Sequence, residues 1–197
     1  MATDQKNTFL SQTFLTEEQV KQLEEWTNRK CEEVVFDSDI HDWKVNTSVC
    51  VDKATIPYYS IYVIEETGGE IFGFYLDDNI QEYFREDIWC GNKAFHFNLV
   101  SNGRLPGPMK FEIKDESWGY YLNRESDERI MRIGQISLKK EEHKEDCCFS
   151  QDNKAFDYHG IERALCDKEP NARGFMFFTP KRFQIIQMSR HEINPDL

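Results

Sequence analysis

Tyr58-Tyr-Ser-Ile-Tyr-Val-Ile-Glu-Glu-Thr-Gly-Gly-Glu-Ile-Phe-Gly-Phe-Tyr-Leu76 carries the strongest pairing signal in the chain. Two runs rich in β-branched and aromatic residues, 58–65 and 70–76, flank Thr67-Gly68-Gly69, where glycine supplies the backbone freedom of a tight turn. The stretch reads as a β-hairpin. Ile61, Val63, Ile71, Phe72 and Phe74 carry its apolar content and place it in the core. Gly73, next to Phe72, lets a neighbouring backbone approach closely.

The same reading extends in both directions. Residues 94–100 form another strand. Ser101-Asn-Gly-Arg104 is a turn, and Leu105-Pro-Gly-Pro108 lengthens the loop after it. Residues 109–114, 118–123 and 130–138 are further strands, and 139–146 is a run of Lys and Glu that reads as a solvated loop. Residues 174–178 and 182–188 read as two strands or one bent one. On the N-terminal side, the strand at 33–37 runs into a loop at 38–42 with Asx-turn chemistry. Before it lies a helix over 16–30. Thr16 and Gln19 form a capping-box pattern, Leu15 and Val20 are placed for a hydrophobic staple, and Val20, Leu23 and Trp26 make one apolar face. Residues 1–12 are polar and expected to fray. With 15 Phe, 8 Tyr and 4 Trp favouring sheet, the fold class is α+β and mainly β. The expected architecture is an antiparallel two-sheet β-sandwich flanked by short helices, with residues 13–197 as one domain.

A formal net charge of −12 opposes polyanions and acidic membrane surfaces and favours solubility. No apolar stretch approaches the roughly 18–20 residues of a membrane span. The opening Met1-Ala-Thr-Asp-Gln-Lys-Asn7 lacks the apolar centre of a secretory leader. The expected location is therefore cytoplasmic or nuclear, with cysteines 31, 50, 90, 147, 148 and 166 reduced.

Recognisable chemistry is sparse, and no catalytic residue, cofactor or metal is assigned. Asp37, Asp39, His41 and Asp42 could hold a divalent ion, but EF-hand spacing is absent and a loop held by Asx hydrogen bonds explains them. Adjacent strand residues point to opposite faces, so Cys147 and Cys148 are poorly placed to share a zinc ion. They are the candidate redox-sensitive thiols, set against a reading with one buried and one exposed structural cysteine. Ser48 and Cys50 near His41 match no known nucleophile arrangement, although a triad assembled from distant residues, and hence a hydrolase, stays open. Arg163, Arg173, Lys181, Arg182 and Arg190 interleave with aromatics and could contact nucleic acid in a regulator of stress genes. Phe175, Phe177 and Phe183 alternate, which is read as core packing against that alternative.

Several segments, in this order, resemble a TLDc domain, the module shared by oxidation-resistance and nuclear-receptor-coactivator proteins. They are Val35-Phe-Asp-Ser-Asp-Ile-His-Asp42, Ile61-Tyr-Val-Ile-Glu-Glu-Thr-Gly-Gly-Glu-Ile-Phe-Gly-Phe74 and Ala94-Phe-His-Phe-Asn-Leu99. Arg132-Ile-Gly-Gln135, Cys148-Phe-Ser150, Phe156-Asp-Tyr-His-Gly160 and Arg182-Phe-Gln-Ile-Ile-Gln-Met188 follow. The resemblance spans residues 33–190. Two departures are visible: the glycine-rich central segment keeps one Gly, and Gln187-Met188 replaces an acidic-aromatic pair. The resemblance implies a two-sheet sandwich, a non-enzymatic role in the oxidative-stress response through protein partners, and the vacuolar proton ATPase as one such partner. It transfers no catalytic residue.

Overall fold

In the computed structural model, the described residues are 8–43, 47–55, 57–77, 88–89, 93–114, 118–122, 129–151 and 154–193. Helix α1 (Glu17–Thr27) begins with the capping box: Gln19 N–H donates to Thr16 Oγ1, and Thr16 N–H donates to Gln19 Oε1. It ends three residues before the expected boundary. Asn28 adopts the left-handed conformation, with φ of 54°, and closes the helix with a backbone bond to Glu24. Strand β1 (Arg29–Asp37) therefore starts directly after it. Within the polar stretch before the helix, Phe9 is buried with Leu15, Val20 and Leu23, and the Gln12 carbonyl accepts from Gln184 Nε2. Polar composition around residue 9 hid that anchor; residues 1–7 lie outside the described set.

Helix α2 (Thr47–Ala54) was not expected from the sequence; Cys50, Val51 and Ala54 on it are fully buried. The hairpin forms as β2 (Ser60–Glu66) and β3 (Ile71–Leu76), paired from Ser60↔Leu76 to Glu65↔Ile71. Strands β4 (Ile88–Trp89), β5 (Phe95–Val100), β6 (Met109–Glu112) and β7 (Trp118–Leu122) follow. The expected strand at 130–138 is two strands, β8 (Arg129–Ile133) and β9 (Ile136–Lys139), joined by a tight turn at Gly134-Gln135. Gly134 has φ of +54°, and a Cβ there would strike His96 and Phe74, so the turn needs glycine. The charge run includes a 3-10 turn, Glu141–Asp146. Then come β10 (Cys147–Ser150), β11 (Phe175–Phe178) and β12 (Pro180–Glu192).

All pairings among these strands are antiparallel, in two six-stranded sheets ordered β1-β12-β2-β3-β5-β6 and β11-β10-β9-β8-β7-β4. The mainly β sandwich is as expected. Residues 174–178 and 182–188 resolve into two strands in different sheets, with Thr179 between them.

The hairpin is buried on both faces because the second sheet covers one of them and α1 the other. Tyr62, Ile64, Phe72 and Phe74 point into the core between the sheets, with Ile133, Ile136, Phe149 and Phe178. Ile61, Val63 and Tyr75 pack under α1 with Val20, Leu23 and Met188. Ile71 is half-buried, while the other four apolar residues singled out in the hairpin are fully covered. At Gly73 a Cβ would collide with the Tyr62 carbonyl and sit 2.6 Å from Phe97 Cζ, so the expected close approach is realised.

Candidate functional site

The two adjacent cysteines sit on β10 and point to opposite faces. Cys147 is fully buried between the sheets, and its Sγ accepts from Lys139 N–H at 3.2 Å. Burial pushes its thiol up to about 12. Cys148 is half-buried on the outer face. Burial raises its pKa most, Asp146 adds to the rise, and Arg129, Lys139 and Arg132 pull the other way. Both thiols are therefore largely protonated at neutral pH, but only Cys148 is within reach of solvent. Alkylation followed by mass spectrometry should label Cys148 at least about ten times faster than Cys147. Equal rates would show that β10 is not packed as described.

Cys148 belongs to a surface row. Its register partners are Phe177 on β11 and Ser137 on β9, and Ser137 in turn pairs with Arg132 on β8. One step along, Phe175 pairs with Ser150. Phe175 and Phe177 are 39% and 42% exposed, while Met176 and Phe178 between and after them are buried. The expectation that Phe175, Phe177 and Phe183 are core residues is therefore corrected: only Phe183 is. The alternation was real, but in β11 the larger aromatic pair faces outward, and period alone does not say which face is covered. β11 ends the strand order of its sheet, and its outer edge is bridged by Pro170 opposite Met176. Asn171 caps one end of it, with its N–H donating to the Phe175 carbonyl and its Oδ1 accepting from Phe175 N–H.

The four residues considered for nucleic-acid contact do not gather. Arg182 donates through Nε and Nη2 to Asp37, at 3.0 and 2.5 Å, and lies 3.3 Å from Asp39. Lys181 pairs with Glu65 at 2.7 Å. Arg190 lies over the Tyr58 ring, eight residues and so about 27 Å further along β12 at normal strand rise. Arg173 is in the turn before β11, on the other sheet. Arg163 is tied to Asp167 and Glu169.

The loop at 37–42 is held by hydrogen bonds. Asp37 Oδ1 accepts from Asp39 N–H in an Asx turn, and its carboxylate also accepts from Arg182 and Gln184. His41 Nδ1 accepts from Asp37 N–H. Burial opposes ionisation of Asp37, but its bonds to Arg182, Asp39 and Gln184 outweigh it and hold the carboxyl below its ordinary range. Asp37 and His41 are thus already engaged, by Arg182 and Gln184 on β12 and by the backbone of the loop.

A second polar knot holds the hairpin turn and had no sequence signal. Glu66, Glu70 and Cys166, all buried, bring one ligand atom each within 4.8 Å of one another. Such donors could hold a cation, yet two protein cations already balance them. Arg104 Nη2 donates to Glu70 Oε1 at 2.9 Å, and Lys168 Nζ lies 3.2 Å from Glu66 Oε2 as an ion pair. Asp167 N–H donates to Glu70 Oε2. Burial opposes ionisation of Glu70, but the bonds from Asp167, Cys166 and Arg104 prevail and lower its pKa. Burial, and then the bond to Glu70, keep Cys166 protonated.

His96 is fully buried. Its Nε2 accepts from Gln135 N–H at 3.3 Å, which leaves the proton on Nδ1 to donate to Tyr158 Oη at 2.8 Å. The ring stacks on Phe156. Burial lowers its pKa to about 3. Neither His96 nor His41 hydrogen-bonds a serine hydroxyl or a thiol among the described residues. Ser48's side chain and Cys90 lie outside that set. No family model matches this chain, and neither does any curated protein. Among the described residues, no helix is long and apolar enough to cross a membrane.

Proposed function

We propose that the chain is a non-enzymatic interaction module that acts through a protein partner in the oxidative-stress response, in the cytoplasm or nucleus. The observation that carries the binding half is the outward-facing Phe175–Phe177 pair on β11. Two large rings held outward beside a half-buried thiol suit a partner that packs an apolar surface against the outer face of β10 and β11 and covers them. The stress half rests on the TLDc resemblance, which also makes the vacuolar proton ATPase the first partner to try. The internal commitments of His41, His96, Asp37 and Glu70 fit a structural rather than a chemical use of those groups.

The test is affinity capture from oxidant-treated cells with wild-type protein and with Phe175→Ser/Phe177→Ser, with and without nuclease. Because the two rings are 39% and 42% exposed, the double variant should lose roughly 2–3 kcal/mol, and circular dichroism must show it folded before capture is compared. It should lose its partner at least tenfold. Capture unaffected by the double variant overturns the surface, and capture abolished by nuclease favours a nucleic-acid-associated role instead.

A further inference from the structure

Where α1 hands over to β1, at one end of the first sheet, Trp26, Asn28, Arg29, Lys93, Phe95 and Glu192 help enclose a cavity of about 360 Å³. That volume lies at the small end of the range for ligand sites. Its rings are fixed: Trp26 meets Phe95 edge to face at 6.2 Å, and Tyr75 packs on Phe95 at 5.0 Å. Lys110 reaches over Phe95.

The polar wall holds three acids, Asp77, Glu112 and Glu192; Glu112 pairs with Lys110 at 2.7 Å, whereas the contacts of Glu192 are long. Glu192 Oε2 accepts from Asn28 Nδ2 at 3.3 Å, and Oε1 accepts from Lys93 Nζ at 3.4 Å. Arg29 Nη2 stands 3.9 Å from the same Oε1, outside hydrogen-bond range. Charged partners ordinarily close to about 2.7–2.9 Å, so all three approaches are stretched.

The donors are better anchored than the acid. Arg29 Nη1 donates to the carbonyls of Ser189 and Arg190, at 3.0 and 2.7 Å, and its guanidinium lies 3.5 Å from the Tyr59 ring centroid. Its side chain is 6% exposed and that of Glu192 is 53% exposed. A side chain so exposed can swing away while the guanidinium stays. The lining charges then set the ligand's charge. Arg29, Lys93 and Lys110 face Asp77 and Glu112 once Glu192 has left, and three cations against two acids leave one positive charge to be matched.

We infer that this cavity binds a small organic monocarboxylate, whose charge replaces that of Glu192 on Asn28, Arg29 and Lys93 and whose apolar body rests against Trp26 and Phe95. Glu192 is thereby a built-in competitor for the site. This is independent of partner docking on β11.

Benzoate is the probe, with benzamide as its neutral counterpart, titrated into the full chain while the Trp26 indole N–H and the Lys93 and Phe95 amides are followed by NMR. Benzoate should shift these signals saturably, in the millimolar range expected of so small a ligand. Glu192→Ala and Glu192→Gln should each bind about tenfold tighter, Lys93→Glu about tenfold weaker, and benzamide at least tenfold weaker than benzoate. The proposal is overturned if neither wild type nor the Glu192 variants show a saturable shift at these positions. Equal response to benzamide overturns it as well, since charge would then not be recognised. So does unchanged affinity in both Glu192 variants.

Discussion

Phe72→Ala should lower the stability of the fold by about 3–5 kcal/mol, the usual cost of removing a fully buried phenylalanine. The ring is covered completely. It stands on β3 in the first sheet and meets two rings of the second, Phe178 edge to face at 5.1 Å and Phe149 at 6.0 Å. Deleting it opens a void at the contact between the layers. The neighbouring backbone has little room to close that void, because Gly73 already lies against the Tyr62 carbonyl and the Phe97 ring. Urea unfolding is the measurement. A loss below about 1 kcal/mol would show that the hairpin does not join the sheets.

Stability should fall as pH drops below 6.5, with His96 as the largest single source. In the unfolded chain this imidazole has its ordinary pKa of 6.5, while burial lowers it to about 3 in the folded protein. Between these values the unfolded chain takes up a proton that the folded chain refuses, so acid favours unfolding. The contribution is fully present above pH 6.5, and the slope below it approaches about 1.4 kcal/mol per pH unit. From pH 7.5 to 4.5 the loss from His96 alone is roughly 2–3 kcal/mol. His41 adds in the same direction, because burial and then Lys53 lower its pKa. Asp37 and Glu70 act later: their folded pKa values are depressed, so their stabilisation is present above the ordinary carboxyl range and is lost as pH falls through and below it. Unfolding curves at pH 7.5, 6.5, 5.5 and 4.5 test this. His96→Gln, itself less stable at neutral pH, should have a much flatter profile across that range. A flat wild-type profile would mean that His96 is solvated or charged in the native state.

Features set by neighbours in sequence were legible. Thr16 and Gln19 are three residues apart, and their reciprocal bonds form as the capping box requires. Thr67-Gly68-Gly69 marks the hairpin turn, and the opposite facing of Cys147 and Cys148 follows from strand geometry alone. What was missed depends on distant partners. Asp37 reads as a loop acid until Arg182, 145 residues away, closes on it. Glu66 and Glu70 flank the hairpin turn with no local sign that Arg104 and Lys168 meet them there. The outward Phe175 and Phe177 were missed because a two-residue period fixes alternation but not which side meets the other sheet. The Gly134-Gln135 turn was missed because two residues between Ile133 and Ile136 barely interrupt an apolar run. Its glycine is explained by a positive φ and by the distant His96 and Phe74 rings beside it.

The placement of β12 bears on how the chain is made. This strand lies between β1 and β2, and Cys31 faces Met188 across 157 residues of sequence. During synthesis β1, β2 and β3 emerge long before the strand that separates the first two. Until residues 180–192 leave the ribosome, β1 and β2 each carry an open edge, and the first sheet cannot close. Loop closure over such distances is slow, and unpaired edges are where nascent chains associate wrongly. The burden on chaperones therefore lasts until residues 180–192 have emerged, and a message cut short before the codon for Pro180 should yield an aggregating product instead of a smaller domain.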